Sequence, residues 1–195
     1  MLNLDRLTSF VLADTGKCVG CRTCEIACAL AHMATPSPDV AGEIESQLTP
    51  RLFVMVAGEV TAPVMCRHCE DAPCANVCKM SAISRVNGRI LVNTERCVGC
   101  RLCLMACPFG AIEFAPLNQD AKPIYPTAAK SSGEKNETMY RANKCDLCND
   151  RVEGPACITN CPENALVLVN AATATRRRRN EAALDLLAEQ NAVWV

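Results

Sequence analysis

The sequence has few of the bulky side chains that fill most protein interiors. Aromatic residues make up 4% of its 195 residues, as four Phe, two Tyr and one Trp. A chain of this length forms about one domain, or two small domains that share a core. So few aromatic rings leave little bulk for such a core. We therefore expect a group other than ordinary side chains to fill part of it.

The motifs of common catalytic sites are missing as well. The chain has no phosphate-binding loop, no dinucleotide-binding fingerprint, no Ser-His-Asp candidate and no zinc-protease motif. Its two histidines, His32 and His68, are metal ligands in principle, but a polar role at the surface or beside a ligand is favoured. The adjacent acids Glu70 and Asp71 favour a turn over acid–base chemistry. We therefore expect a chain that performs no bond chemistry by itself.

Long apolar segments are also absent. A membrane-spanning helix needs about eighteen apolar residues or more, and the longest candidates, residues 102–115 and 165–174, are short and interrupted. The N-terminus shows no secretory signal, which argues against a disulfide framework. These absences predict a cytoplasmic protein without its own membrane span. Export attached to a signal-bearing partner is the alternative that the sequence leaves open.

Cysteine, by contrast, is abundant, with sixteen residues in four groups of four. The third group lies in the stretch 97–108, which reads CVGCRLCLMACP and follows the spacing C-x2-C-x2-C-x3-C. This is the bacterial ferredoxin run, in which three thiolates bind one 4Fe-4S cluster and the fourth binds a neighbouring cluster. The remaining groups are Cys18, Cys21, Cys24 and Cys28, then Cys66, Cys69, Cys74 and Cys78, then Cys145, Cys148, Cys157 and Cys161.

The order of the groups predicts which of them belong together. Asn87-Gly88, the strongest short-range hairpin signal, separates two short runs between the second and third groups. In a two-cluster ferredoxin such a hairpin links the two ligand runs. The second and third groups are therefore expected to form an inserted module over residues 51–116. The first and fourth groups then form an outer module from residues 10–34 and 145–170.

Four ligand sets follow if the fourth cysteine of each group is exchanged within its module. Set 1 contains Cys18, Cys21, Cys24 and Cys161. Set 2 contains Cys145, Cys148, Cys157 and Cys28. Set 3 contains Cys66, Cys69, Cys74 and Cys107. Set 4 contains Cys97, Cys100, Cys103 and Cys78.

Two further segments carry no ligand pattern. Residues 117–144 are polar and contain several prolines, which predicts a connecting loop at the surface. Residues 171–195 contain an arginine run and a helix-like stretch, which we interpret as a tail for docking or self-assembly. An ordinary solvated run and a helix packed on its own core are the alternatives. The proposed docking residues are Arg176, Arg177, Arg178, Arg179, Leu184, Leu187 and Trp194.

The ligand runs resemble those of a known family. CVGCRTCEIAC, CRHCEDAPCANVC, CVGCRLCLMACPFGAIEF and NKCDLCNDRVEGPACITNCP are similar to the four-cluster iron–sulfur subunits of formate hydrogenlyase, formate dehydrogenases, dimethyl sulfoxide and polysulfide reductases, carbon monoxide dehydrogenase and tungsten aldehyde oxidoreductases. The resemblance covers about residues 10–170. It implies an α+β fold of two ferredoxin-like modules with pseudo-twofold symmetry, loop-rich and organised around four 4Fe-4S clusters, to which we add a C-terminal helix.

Two of the four runs depart from the usual pattern. Lys79 follows Cys78 where proline is usual, and Ala29 follows Cys28. A lysine beside a cluster can raise its reduction potential by stabilising the reduced, more negative state. A side chain that points into solvent is the competing interpretation. Zinc ribbons also use C-x2-C pairs, but the compact four-cysteine runs and the prolines after Cys107 and Cys161 favour iron–sulfur clusters.

The function predicted from these features is electron transfer. The expected partners are a molybdenum- or tungsten-dependent catalytic subunit, such as formate dehydrogenase or aldehyde oxidoreductase, and a flavin-containing subunit or hydrogenase. A self-assembling filament, a free-standing ferredoxin and a zinc-bound interaction module are the alternatives. The formal charge of −1 counts cysteines as neutral. Loaded clusters make the true charge more negative, which argues against nucleic-acid binding.

Overall fold

The computed structural model describes residues 8–32, 49–117, 139–170, 174–176, 178–180 and 182–184. Within them the chain forms short helices and paired strands, an α+β arrangement with much loop. The helices are α1 (Thr23–Ala31), α2 (Pro73–Asn76), α3 (Leu102–Ala106) and α4 (Ala156–Thr159). The strands are β1 (Phe10–Ala13), β2 (Leu52–Ala57), β3 (Val60–Met65), β4 (Ile83–Val86), β5 (Arg89–Val92), β6 (Glu113–Leu117), β7 (Met139–Asn143) and β8 (Leu166–Val169).

Each helix begins one residue before the third cysteine of a ligand group. These cysteines are Cys24, Cys74, Cys103 and Cys157, and all four are buried. The residue before α1, α2 and α3 has a left-handed backbone conformation. This conformation reverses the chain sharply at the end of the ligand loop, so the helix starts with its cysteine turned back toward that loop. The composition of residues 24–33, CEIACALAHM, favours a helix, and α1 confirms it.

The strands form four antiparallel pairs. β1 pairs with β8, so that Phe10 lies opposite Val169. β4 and β5 form the hairpin expected at Asn87-Gly88, where φ is 48° and 76°. Two positive φ values in a two-residue turn match the right-handed twist of the flanking strands. The apolar runs FVLA at residues 10–13 and ALVLV at residues 165–169 predict strands, and β1 and β8 confirm them.

Two strands were not expected. β3 pairs with β2 across a turn at Gly58, although it contains Pro63. Proline is tolerated because each strand of a two-stranded pair has one free edge, where no N–H is needed. The connecting loop expected over residues 117–144 is wrong in its last part, because Met139–Asn143 forms β7 and pairs with β6. Residues 118–138 of that loop lie outside the described part of the chain.

The buried residues form two clusters built from cysteines and small aliphatic side chains. The first surrounds Cys24, Cys28, Cys145 and Cys157 and includes Val11 and Leu52. The second surrounds Cys74, Cys97 and Cys103 and includes Ile83 and Ile90. Phe114 is the one aromatic ring packed against either cluster among the described residues, and it is partly buried. The core therefore contains little aromatic bulk, as the composition predicts.

The C-terminal segment is helical at residues 174–176, 178–180 and 182–184. Arg176, Arg178 and Arg179 are exposed there, and Leu184 is 65% exposed. The other proposed docking residues, Arg177, Leu187 and Trp194, lie outside the described residues. No helix in the described part of the chain has both the length and the apolarity to cross a membrane.

Candidate metal centres

The four cysteines of set 1 line one cavity. Leu166 and Ala165 form part of its wall. Helix α1 supplies Cys24, and the Cys161 sulfur accepts the backbone N–H of Ala165 at 3.3 Å. Pairing of β1 with β8 holds the two ends of this loop system together.

Set 3 likewise lines one cavity. The backbone N–H of His68 donates to the Cys66 sulfur at 3.3 Å, and that of Ala111 donates to the Cys107 sulfur at 3.4 Å. Arg85 on β4 donates to the carbonyl of Cys69 at 2.6 Å. The ligand loop is therefore fastened to the neighbouring hairpin.

Set 4 lines a third cavity. The Cys78 sulfur accepts the backbone N–H of Ala82 at 3.3 Å. Gly99, inside the loop, has φ of 74°, and a Cβ atom at this position would lie 2.5 Å from the carbonyl oxygen of Tyr140 on β7. The loop can approach β7 this closely because glycine has no side chain.

All four cysteines of set 2 are buried. Burial, followed by the charges of the other three members, raises the pKa of Cys157. Burial also raises the pKa of Cys145 to about 12. Backbone N–H groups of Arg51, Leu147 and Ala156 donate to three of its sulfurs, at 3.3, 3.4 and 3.4 Å. Cys28, Cys145 and Cys157 belong to one buried cluster, and His32 lies beside the sulfurs of both Cys28 and Cys148.

These residues fit iron–sulfur clusters. The donors are all sulfur, and N–H groups point at sulfurs in every set, which stabilises thiolate charge. The three cavities have nearly equal volumes, which favours one kind of occupant. Burial raises the pKa of Cys24 and Cys103 to about 11. Such thiols are held as thiolates when a metal coordinates them.

The sets follow one another in space. Cys24 of set 1 and Cys28 of set 2 lie one turn apart on α1, and α1 packs on α4. Helix α2 packs on α3, which joins set 3 to set 4. Cys66 of set 3 and Cys145 of set 2 belong to the same buried cluster, which makes these two sets neighbours. The two exposed cysteines, Cys21 and Cys100, belong to sets 1 and 4 at the ends of this series.

A polar network surrounds set 2. His32 Nε2 donates to Asp146 Oδ1 at 3.0 Å, and its Nδ1 donates to the Cys28 carbonyl at 2.7 Å. Arg51 donates to Asp146 Oδ2 at 2.6 Å and to the Asn143 side chain at 2.9 Å. Burial acts to lower the pKa of His32, but the hydrogen bond to Asp146 raises it to about 11.

Asp146 is held as a carboxylate in this network. Burial acts to raise its pKa, but the His32 hydrogen bond and the Arg51 charge hold that pKa well below its usual range. His32, Asp146 and Cys148 place ligand atoms within 4.8 Å of one another. Because Cys148 belongs to set 2, we attribute this group to the surroundings of that set.

His68 is completely buried beside set 3. Its Nδ1 accepts the backbone N–H of Ile90 at 3.0 Å, while Nε2 has no partner among the described residues. Burial lowers the pKa of His68 to about 3, so the ring is neutral and carries its proton on Nε2. Both histidines therefore lie beside cysteines. Sequence reasoning left open whether they lie there or at the surface.

Other residues singled out from the sequence are exposed. Lys79 is exposed next to Cys78, and so are Glu70 and Asp71. The Asp71 carbonyl accepts the Asn76 side chain at 2.7 Å. A contact of this kind suits the turn expected for the acidic pair.

Comparison with known proteins gives close relatives. Residues 90–113 match the family described as the 4Fe-4S binding domain. The chain is 40% identical to the electron transport protein HydN of Escherichia coli over 178 residues, which is 89% of this chain and 97% of HydN. It is 41% identical to the putative electron transport protein YsaA of the same organism, over 88% of this chain and 96% of YsaA. It is 41% identical to formate hydrogenlyase subunit 2 of E. coli, over 89% of each chain.

Proposed function

The chain belongs to the family of ferredoxin-type 4Fe-4S electron-transfer subunits, and we propose that it carries electrons by way of four clusters between a catalytic oxidoreductase subunit and a second redox partner. Its relatives are named as electron transport proteins, and the chain is a non-catalytic electron-transfer subunit like them. A bound 4Fe-4S cluster supplies a centre that gains and loses one electron.

One observation carries the proposed number of clusters. Three cavities of nearly equal volume are each lined by four cysteines, and these are the members of sets 1, 3 and 4. The four buried cysteines of set 2 form a fourth group with the same donors. Exchange of the last cysteine between neighbouring groups supports two two-cluster modules, over residues 10–34 with 145–170 and over residues 51–116.

The exposure of the cysteines also supports a path by which electrons cross the protein in either direction. Sets 1 and 4 each contain one exposed cysteine, Cys21 and Cys100, whereas set 2 is buried throughout. We therefore propose that partners dock near Cys21 and near Cys100. No cysteine of set 2 or set 3 is exposed, which favours exchange of electrons between these sets and sets 1 and 4 over exchange with outside molecules.

The nature of the partners is proposed from the family. One relative is a subunit of formate hydrogenlyase. We propose a molybdenum- or tungsten-dependent catalytic subunit, such as formate dehydrogenase or aldehyde oxidoreductase, and a flavin-containing subunit or hydrogenase. Self-assembly into a filament through the C-terminal tail, and a cytoplasmic location, remain predictions from the sequence.

The proposed function is tested by reduction of anaerobically purified protein. Dithionite is expected to deliver about four electrons per chain, one for each 4Fe-4S cluster. Electron paramagnetic resonance is expected to show reduced clusters that interact magnetically, since neighbouring sets share helices. A colourless protein that takes up no electrons would contradict the proposal.

A further inference from the structure

Lys144 is a buried positive charge between two ligand sets. It directly precedes Cys145 of set 2 and is 3% exposed. Its Nζ donates to the carbonyl of Cys145 at 2.8 Å and, by a shorter hydrogen bond, to the carbonyl of Ile90. Ile90 forms part of the wall of the set 3 cavity. The ammonium group therefore joins a ligand of one set to the wall of the next.

The Ile90 peptide is held on both sides. Its carbonyl accepts from Lys144, and its N–H donates to His68 Nδ1 at 3.0 Å. His68 lies between Cys66 and Cys69 of set 3. The Ile90 peptide therefore fixes the position of the Lys144 ammonium relative to set 3.

No carboxylate forms an ion pair with Lys144 among the residues that the structure describes. Two carbonyl oxygens are polar partners, but they do not neutralise a unit charge, and a buried charge without a counterion is costly. The charge reaches both sets. Its Nζ lies within hydrogen-bond distance of the carbonyl of Cys145, a set 2 ligand, and of the carbonyl of Ile90 in the wall of the set 3 cavity.

We propose that Lys144 raises the reduction potentials of the clusters held by sets 2 and 3, and that it leaves those of sets 1 and 4 nearly unchanged. The inference rests on the proposed function. A cluster becomes more negative when it gains an electron, and a fixed cation nearby stabilises that state. Two anionic centres, in turn, supply the countercharge that the buried ammonium lacks. Lys144 thus favours residence of the electron in the middle of the series.

The test compares two replacements of Lys144 by potentiometric titration followed by electron paramagnetic resonance. Lys144→Gln removes the charge and keeps an N–H donor, whereas Lys144→Met removes both. In each variant two of the four potentials are expected to become more negative. At an effective dielectric constant of about 20, a unit charge about 10 Å from a cluster changes the equilibrium constant for its reduction about tenfold. A tenfold change corresponds to a shift of about 59 mV in the reduction potential of a one-electron centre.

Lys79→Gln is the matched control. Lys79 also adjoins a ligand, Cys78, but it is exposed, so solvent and salt screen its charge. Its removal is expected to shift each of the four potentials much less than removal of Lys144 shifts those of sets 2 and 3. A larger shift for Lys79→Gln than for Lys144→Gln would overturn the proposal.

The remaining outcomes are separated by iron and sulfide content, measured on every variant. The proposal would be overturned if all four potentials shifted equally or if none shifted. A shift in Lys144→Met alone would also overturn it, because that result assigns the effect to hydrogen bonding and not to charge. If Lys144→Met fails to load clusters, Lys144→Gln decides by itself. A wild-type protein without iron and sulfide refutes the proposed function instead.

Discussion

Replacement of Gly99 by alanine tests how closely the set 4 loop packs against β7. Gly99 has φ of 74°, and the new Cβ would lie 2.5 Å from the Tyr140 carbonyl oxygen. Because that oxygen belongs to the backbone of a paired strand, it cannot rotate away. Either the loop or β7 must shift, and Cys100, the next residue, shifts with the loop.

The expected cost has two parts. A left-handed conformation costs an L-residue roughly 1–2 kcal/mol, and forcing a methyl group into a closely packed contact costs about 1–3 kcal/mol more. Gly58 provides the control, because its φ is 61° and a Cβ added there would meet nothing within 4 Å. Gly58→Ala therefore carries the conformational part alone, and the difference between the variants isolates the contact with β7.

The readout is the half-life of the visible cluster absorbance at a fixed elevated temperature, since proteins with bound clusters unfold irreversibly. A difference of about 1.4 kcal/mol in the barrier corresponds to a tenfold change in rate. We expect Gly99→Ala to lose its absorbance about tenfold faster than Gly58→Ala. Equal half-lives would refute the close approach of this loop to β7.

Three further predictions concern the ligand sets and their support. Asp146→Asn removes the carboxylate that joins His32, just after α1, to Arg51, just before β2, and is expected to cost about 2 kcal/mol, because these ion pairs are largely buried. Thermal inactivation should be faster than in Glu153→Gln, whose ion pair is more exposed, and equal rates would count against the network. The double variant Cys28→Ser with Cys157→Ser should lose about four irons, because both cysteines belong to set 2, whereas Cys28→Ser with Cys24→Ser should lose about eight, because Cys24 belongs to set 1. Equal losses would disprove the exchange of the fourth cysteine between groups. Removal of iron by an anaerobic chelator should abolish the circular dichroism of the folded chain, since metal binding is coupled to folding; an unchanged spectrum would show that the fold stands without clusters.

The features that can be read from the sequence are local. The C-x2-C-x2-C-x3-C spacing, the Asn87-Gly88 turn and the apolar run of β1 each lie within a few residues, so one stretch of chain contains the whole signal. The hairpin and strand are found where the sequence predicts them. The third cysteines of the first three groups lie at helix starts because the left-handed residue before each helix turns the chain back.

The features that the sequence does not reveal depend on distant partners. β7 follows a long polar stretch and becomes a strand by pairing with β6, and β3 contains a proline that a free edge accommodates. His32 meets Asp146 across 114 positions of sequence. Such contacts leave no periodic pattern in either segment.

Two lysines show most clearly what the sequence cannot predict about a charge near a ligand. Lys79 and Lys144 each adjoin a ligand cysteine, so sequence adjacency treats them alike. The sequence points to Lys79 for tuning a potential, yet this residue is exposed. Lys144 is buried, because the residue after β7 turns inward between the two ligand sets. Burial, which decides how strongly a charge acts, cannot be read from the residues next to either lysine.

Metal analysis of the purified protein decides whether its sixteen cysteines hold four 4Fe-4S clusters, as we propose. Iron, acid-labile sulfide and zinc should be measured per chain on anaerobically purified protein. We predict about sixteen irons and sixteen sulfides per chain, with little zinc. Zinc at about one ion per cysteine set, without sulfide, would refute electron transfer through clusters and would indicate a structural zinc-binding protein.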